Sequence, residues 1–407
     1  MEDRYLTSRE AKLILLVAQW IVNEYRPVKM EKILTQNLVD WENFNFLLAQ
    51  HELPSFAYVY LKEQAALIPV SEFNLLRYNY YFALERLVRQ EKEFLELVDI
   101  FQNKGVDLLP LKGAAFLVGR LYGANTGLRL MEDIDILVKK EHLALAQESA
   151  QTLGFQKETC GFKENYWREK SYHFIFTKNR KGKFFSYLEI HWLLDYPGKV
   201  PLLPLLWERV RKLRVENREV SLMSVEDTLF CLALHLRRFG NVLALKAACD
   251  FALLITKYKN LDWDYIVKEA RSGQMCSSLY FRFAQANILF DMAEPKPIIN
   301  GLRVSSYKKR LIEKFILKNT FLIRKQQDNR VFLKNHFLVY DNFRKPLSMV
   351  FMIPQEQFAK FYQLTPYSIK TFLLHKLRFL FFPYCLLVSI LKLTLNKITK
   401  SNKESWY

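Results

Sequence analysis

Two aspartates, Asp133 and Asp135, stand one residue apart inside a run of Ile, Leu and Val. Alternate side chains of a β-strand point to the same face, so the run predicts a strand whose two carboxylates project together. Ile134, Ile136 and Val138 then point to the opposite face, into a core. Adjacent carboxylates repel each other, and a shared divalent cation relieves that repulsion most directly. The pattern is therefore typical of a metal-dependent phosphoryl-transfer site.

The composition favours a largely helical protein. Half of the 407 residues are hydrophobic, while glycine (12) and proline (13) are scarce and phenylalanine (32) is abundant. A chain of this length is expected to form two or three packed subdomains. We predict four regions: an N-terminal helical region at 1–102, a core at 103–200, a helical domain packing on the core at 201–300 and a basic, aromatic-rich helical region at 301–407.

Patterns of hydrophobic spacing place the aspartates in a strand–turn–helix–strand unit between helical segments. Apolar spacing of three and four predicts helices through residues 9–102, and Ser224 is predicted to cap a later helix. The fold class predicted is α+β, with a small mixed β-sheet flanked by N-terminal and C-terminal helical regions. Strands are predicted at Val106–Leu111, around Asp133, at Tyr172–Thr177 and at Phe184–Trp192; helices are predicted at Ala114–Tyr122, Glu141–Leu153, Thr228–Arg238, Leu243–Tyr258 and Trp263–Arg271.

Charge and cysteine content limit the class of protein. The formal net charge is +18, and residues 301–407 carry most of it, with 20 Lys and Arg against 5 Asp and Glu. A contact with an acidic surface is therefore expected in this last quarter. The five cysteines have no paired spacing, which argues against a zinc site and a disulfide framework and favours the cytoplasm.

The uncharged run Phe379–Leu391 has more than one interpretation. It is short for a membrane span and contains Pro383. A helix docked on the protein fits it best. Association with an anionic membrane surface, peripheral at the inner face of the membrane, comes second because several lysines follow the run. Nucleic-acid binding through the same basic region is a third interpretation, although no recognisable binding motif is present.

Several short motifs lie in the predicted strand–turn–helix–strand unit and beyond it. They are Lys112-Gly113, Leu121-Tyr122-Gly123, Arg129, the aspartate strand, Leu188-Glu189-Ile190-His191-Trp192, Leu234-His235, Ala248-Cys249-Asp250, Asp262-Trp263-Asp264, Ile353-Pro354 and Phe361-Tyr362. Together they resemble the uncharacterised bacterial nucleotidyltransferases of the polymerase-β-like superfamily. The resemblance is densest over about residues 105–270.

The resemblance implies transfer of a nucleoside monophosphate from an NTP to an acceptor hydroxyl. Two Mg²⁺ ions are expected, with Mn²⁺ as an alternative, held by Asp133, Asp135 and a third acid on a neighbouring strand. Glu189 fits that third role, both as metal ligand and in deprotonating the acceptor. The residues expected to contact the nucleotide are Lys112, Gly113, Arg129 and His191. For His191, phosphate contact, orientation of the acceptor and simple packing stay open.

One departure from the superfamily concerns the turn after the first predicted strand. The usual Gly-Ser or Gly-Gly stands here as Gly113-Ala114, so the hydroxyl that often grips a phosphate is missing. A catalytically inactive module that binds nucleotide or nucleic acid is therefore an alternative, as is a membrane-surface accessory protein of envelope polysaccharide synthesis. The acceptor stays open among a sugar phosphate, a small-molecule hydroxyl, tRNA and a protein.

Two further residues are predicted to be structural. Asp250 lies in an apolar helix and is costly to bury unless it is paired, and Lys246, one turn earlier, is the simplest partner. His235 is predicted to be a hydrogen-bonded core histidine in mid-helix.

Overall fold

A computed structural model gives helices around a five-stranded mixed sheet, which confirms the predicted α+β fold class. The chain divides into two compact units, one of Met1–Glu158 and Ser171–Phe343 and one of Thr159–Lys170 and Arg344–Tyr407. The four predicted regions stay a prediction. The structure describes residues 8–36, 38–125, 127–180, 184–195, 203–237, 243–293, 295–321, 329–346 and 353–378. The Phe379–Leu391 run and the lysines after it lie outside the described residues.

The N-terminal part of the chain is helical, as its apolar spacing predicts. Ser8 caps the first helix, because its hydroxyl accepts a hydrogen bond from the backbone N–H of Ala11. The last helix of this part is the longest, and its apolar face is buried through Leu87 and Phe94. The helices are Arg9–Asn23, Val28–Thr35, Trp41–Gln50, Pro54–Leu61 and Val70–Asn103, with a 3₁₀ segment at Lys62–Leu67.

The main sheet has the strand order β1-β2-β5-β4-β3. The β2–β5 pair is parallel, and the other neighbouring pairs are antiparallel. The strands are β1 Leu108–Pro110, β2 Asp133–Val138, β3 Gln156–Lys157, β4 His173–Arg180 and β5 Phe184–His191, and the helices between them are Lys112–Val118, Leu143–Thr152 and Glu164–Lys170, with a 3₁₀ turn at Lys140–His142.

The two faces of this sheet differ sharply in polarity. One face has an apolar, fully buried centre, which Ile134, Ile136, Leu188 and Ile190 form. The other face carries acidic residues and histidines of the same strands. Alternation along each strand separates the two sets, so the predicted orientation of the isoleucines and Val138 into a core is confirmed.

A second, two-stranded sheet was not predicted from the sequence. Strands β6 (Arg211–Val215) and β7 (Arg218–Leu222) pair antiparallel around a two-residue turn, in which Glu216 has a φ of 52°. Left-handed backbone at a tight hairpin turn is typical. The alternation of charged and apolar residues on both sides of the turn was the available signal.

The remaining described elements are helical. Ser224 caps the helix Val225–His235 by accepting a hydrogen bond from the Asp227 N–H, as predicted. His235 is the last residue of that helix and is half-buried, so its predicted mid-helix position was wrong. The helices are Leu203–Glu208, Val225–His235, Leu245–Lys257, Trp263–Ser272, Cys276–Phe290, Lys296–Gly301, Ser306–Asn319, Asn329–Val339, Gln355–Phe361 and residues 369–378.

A buried ion pair ties the segment before β2 to the helix Leu245–Lys257. The Nε and Nη2 atoms of Arg129 each donate to a different carboxylate oxygen of Asp250 at 2.7 Å, and the Tyr122 hydroxyl donates to the same carboxylate. The predicted pairing of Asp250 with Lys246 was therefore wrong. Lys246 instead forms a salt bridge with Glu52. Asp250 binds Arg129 rather than the nearer Lys246, because the two donors of the planar guanidinium match both carboxylate oxygens.

We expect Asp250→Ala to lower the free energy of unfolding by about 3 to 5 kcal/mol, because it leaves the Arg129 guanidinium buried without its counter-ion. Urea unfolding followed by tryptophan fluorescence measures the change. Asp107→Ala is the matched control, since it breaks an exposed salt bridge to Lys139 and is expected to cost less than about 1 kcal/mol. Equal losses for the two variants would contradict the structural role of the buried pair.

Candidate active site

Three acidic side chains come from the two central parallel strands. In the β2–β5 pair, Asp135 lies opposite Glu189, and Asp133 lies opposite Tyr187. Residues directly opposite in neighbouring strands share a face of the sheet, and Asp133 shares it because it is two residues from Asp135. Asp135 is almost fully buried, Asp133 is half-buried, and the Glu189 side chain is 20% exposed. Solvent therefore reaches the group through Asp133 and Glu189.

The three carboxylates converge. One oxygen each from Asp133, Asp135 and Glu189 lies within 4.8 Å of the other two. A donor set made only of carboxylate oxygens is the set that a hard divalent cation such as Mg²⁺ prefers. The sequence expectation of a third acid on a neighbouring strand agrees with this placement.

Lys112 lies against the aspartates. Its Nζ donates to Asp135 Oδ1 at 2.7 Å, and its side chain is mostly buried. Lys112 begins the helix that follows β1 and has a φ of 45°, a strained value for a residue with a Cβ. With this backbone conformation at the first residue of the helix, the ammonium lies against Asp135. The predicted contact of Lys112 with a phosphate stays a prediction.

His191 is fully buried behind the carboxylates. Its Nε2–H donates to Asp135 Oδ1 at 2.9 Å and to Glu189 Oε2 at 3.1 Å, since both partners are carboxylate oxygens. The ring therefore links the second aspartate to the glutamate.

His173 was missed by the sequence analysis. It lies opposite His191 in the β4–β5 pair, and its Nε2 is 3.8 Å from Glu189 Oε1.

The surrounding charges give the three carboxyl groups different pKa values. The charge of Asp135, together with burial, raises the pKa of Asp133 to about 7. Burial also raises the pKa of Asp135 and Glu189, but Lys112 and the hydrogen bond from His191 outweigh it for both. The pKa of Asp135 is therefore lowered, and that of Glu189 falls to about 2. Two acids are thus held ionised, and the third is destabilised when ionised.

Gly113 and Arg129 lie next to each other. A Cβ at Gly113 would meet the Met131 side chain at 2.7 Å and Arg129 Nη1 at 2.9 Å. The missing side chain therefore leaves room for the guanidinium that binds Asp250. Both residues line a small surface pocket, which Arg120 and Asn125 also line. The phosphate contacts predicted for Gly113 and Arg129 stay predictions.

Ala114 occupies the position where the superfamily usually has serine or glycine. It is buried, and its backbone N–H already donates to the carbonyl of Leu111. That amide is therefore engaged within the turn.

We expect Asp133→Asn to stabilise the metal-free protein above pH 7 by about 1 to 3 kcal/mol, and the gain to vanish towards pH 4. A carboxyl whose pKa is raised by folding contributes stability at low pH and loses it as the pH rises through about 7. A rise of the Asp133 pKa from 3.8 to about 7 corresponds to about 4 kcal/mol, which solvent at the half-buried group reduces. Thermal unfolding in EDTA between pH 4 and pH 8 measures the effect.

Glu132→Gln is the control for this change, because Glu132 is the exposed neighbour of Asp133. The control is expected to show no comparable pH-dependent gain. A gain for Asp133→Asn that is the same at pH 4 and pH 8 would show that charge repulsion is not its cause.

Comparison with known proteins supplies the family. A family model described as an uncharacterised nucleotidyltransferase matches residues 37–291. A search of curated proteins gives no match. The matched residues include β1, β2 and β5 and therefore all three converging carboxylates. The chain belongs to this family of uncharacterised nucleotidyltransferases.

Proposed function

We propose that this protein transfers a nucleoside monophosphate from an NTP to an acceptor hydroxyl, with Mg²⁺ held by Asp133, Asp135 and Glu189. The observation that carries the proposal is the approach of the three carboxylates to within 4.8 Å in a chain of this family. In the proposed reaction, the acceptor hydroxyl passes its proton to water through Glu189, and its oxygen bonds to the α-phosphorus. The bond to the bridging oxygen of the β-phosphate breaks, and pyrophosphate leaves. Bound magnesium would stabilise the charge on the attacking and leaving oxygens.

The electrostatics of the site support a cation-binding role. Three carboxylates on one sheet face are costly to ionise together unless positive charge lies between them. Lys112 and the hydrogen bonds from His191 supply part of this compensation, mainly to Asp135 and Glu189. Asp133 remains under-compensated, as its raised pKa indicates. A divalent ion at the free side of the trio would complete the compensation.

Lys112 has two roles in this proposal. Its ammonium donates to Asp135 and neutralises that carboxylate. A long, flexible lysine stem allows the same ammonium to turn to a phosphate oxygen once a divalent ion has taken over the carboxylate. His191 would then hold Asp135 and Glu189 in place, while Gly113 and Arg129 would flank the nucleotide.

The test is pyrophosphate release and label transfer from each α-³²P-labelled NTP, with sugar phosphates, aminoglycosides, tRNA and protein as trial acceptors. We expect wild type to label at least one acceptor class, and Asp135→Asn and Glu189→Gln each to lower the rate by at least about 100-fold, because each removes a ligand of the ion. Glu132→Gln is the matched control and should keep the wild-type rate. Equal labelling by wild type and both variants would overturn the assignment.

An inactive nucleotide-binding module is the competing function, and Ala114 is the feature that favours it. Calorimetry that detects NTP binding, together with no pyrophosphate release for any trial acceptor, would favour this alternative over transfer.

A membrane-surface role is a second candidate, and one described feature supports it. The helix at 369–378 exposes large apolar side chains, with Ile369 80%, Phe372 48% and Leu373 51% exposed, and it carries Lys370 and Lys376. An apolar face beside basic residues suits the surface of an anionic bilayer. No helix among residues with described positions is long and apolar enough to cross a membrane.

We expect the full chain to float with vesicles that contain anionic phosphatidylserine and not with neutral phosphatidylcholine vesicles. Phe372→Ser with Leu373→Ser should weaken binding at least about tenfold, since the pair removes apolar area that the bilayer would bury. Val28→Ser with Val70→Ser removes two exposed apolar residues of other helices and is the control. Flotation that is equal for both double variants would exclude this helix as the contact.

A further inference from the structure

Two histidines lie beside the carboxylate of Glu189. His173 Nε2 is 3.8 Å from Glu189 Oε1, and His191 Nε2 is 3.1 Å from Glu189 Oε2. One ligand atom from each of the three residues lies within 4.8 Å of the other two. The three side chains therefore form a compact set of two imidazoles and one carboxylate, which shares only Glu189 with the trio of acids.

Strand pairing fixes this set. His173 lies opposite His191 in the antiparallel β4–β5 pair, and Glu189 lies opposite Ile175. Opposite residues share a face with their Cβ atoms about 5 Å apart, and Glu189 and His191 are two residues apart on one strand. The backbone hydrogen bonds of the β4–β5 pair therefore fix the relative positions of the three residues.

We propose that His173, Glu189 and His191 bind a divalent first-row transition-metal ion, such as Zn²⁺ or Fe²⁺, at a position separate from the all-carboxylate site. Imidazole nitrogens suit these ions, whereas Mg²⁺ prefers oxygen ligands alone. Two histidines and one carboxylate on one side of an ion leave its remaining positions open to water or substrate. The side chains of His173 and Glu189 are 13% and 20% exposed, so water has access.

The shared carboxylate couples the two cation positions. Glu189 offers two oxygens, one near each histidine, and it also belongs to the trio with Asp133 and Asp135. A transition-metal ion would replace the hydrogen bonds that His191 Nε2 makes to Asp135 and Glu189. Occupation of the histidine position therefore changes the charge and the hydrogen bonding of the magnesium ligands. The simpler alternative is that both histidines only position Glu189, and that role needs no metal–nitrogen bond.

Co²⁺ is the probe that separates these alternatives, because its visible absorption is strong in sites of low coordination number with nitrogen ligands and weak in all-oxygen octahedral sites. The experiment titrates Co²⁺ into the full-length, metal-free protein after removal of any affinity tag. We expect a strong visible band that saturates at one equivalent. Asp133→Asn should keep the band, whereas His173→Gln should abolish it and weaken Co²⁺ binding at least about 100-fold.

His142→Gln is the matched control, because it removes a histidine that lies outside the set, in the 3₁₀ turn after β2. A wild-type spectrum with only weak absorption would overturn the proposal, as would a strong band unchanged by His173→Gln. Circular dichroism checks the fold of each variant, and His191→Asn is the second variant if His173→Gln fails to fold. The readout needs no transfer activity, so an inactive enzyme with a strong cobalt band would still support this site.

Discussion

The parallel pairing of β2 with β5 is the constraint on which the site depends. It sets Asp135 beside Glu189. Asp133 and His191 lie on the same face, because each is two residues along its strand from one of these acids. The centre of the opposite face is apolar and buried, so the register cannot slip by one residue without turning charges into the core. The same hydrophobic packing that stabilises the sheet therefore forces three acids together. Packing of the core therefore fixes the relative positions of the carboxylates.

Forcing acids together has an energetic cost that the fold offsets only in part. Lys112 and His191 neutralise Asp135 and Glu189, and the pKa of Asp133 rises to about 7 because its own ionisation is left uncompensated. Carboxylates whose negative charge the protein does not fully neutralise are common at functional sites, because a bound cation can then neutralise the remaining charge. The strained backbone at Lys112 belongs to the same arrangement.

The Arg129–Asp250 pair shows where local reasoning from the sequence is insufficient. Both residues were noticed, but Asp250 was expected to pair with Lys246, one turn away. The structure joins them over 121 positions, with Tyr122 on the same carboxylate. Sequence spacing ranks only neighbours along a helix, whereas a buried carboxylate binds the donor with the best geometry. His173 was missed for a similar reason, since nothing in its own strand indicates which residue lies opposite.

The sequence by itself determined the α+β class, the aspartate strand, the Ser224 cap and the identity of the third acid as a candidate, because these depend on periodicity and on short motifs. Tertiary structure alone decided that Glu189 pairs with Asp135, that His191 and His173 flank it, and that Arg129 is engaged by Asp250. Strand order and register arise from the packing of side chains that are distant in sequence, so no local pattern encodes them.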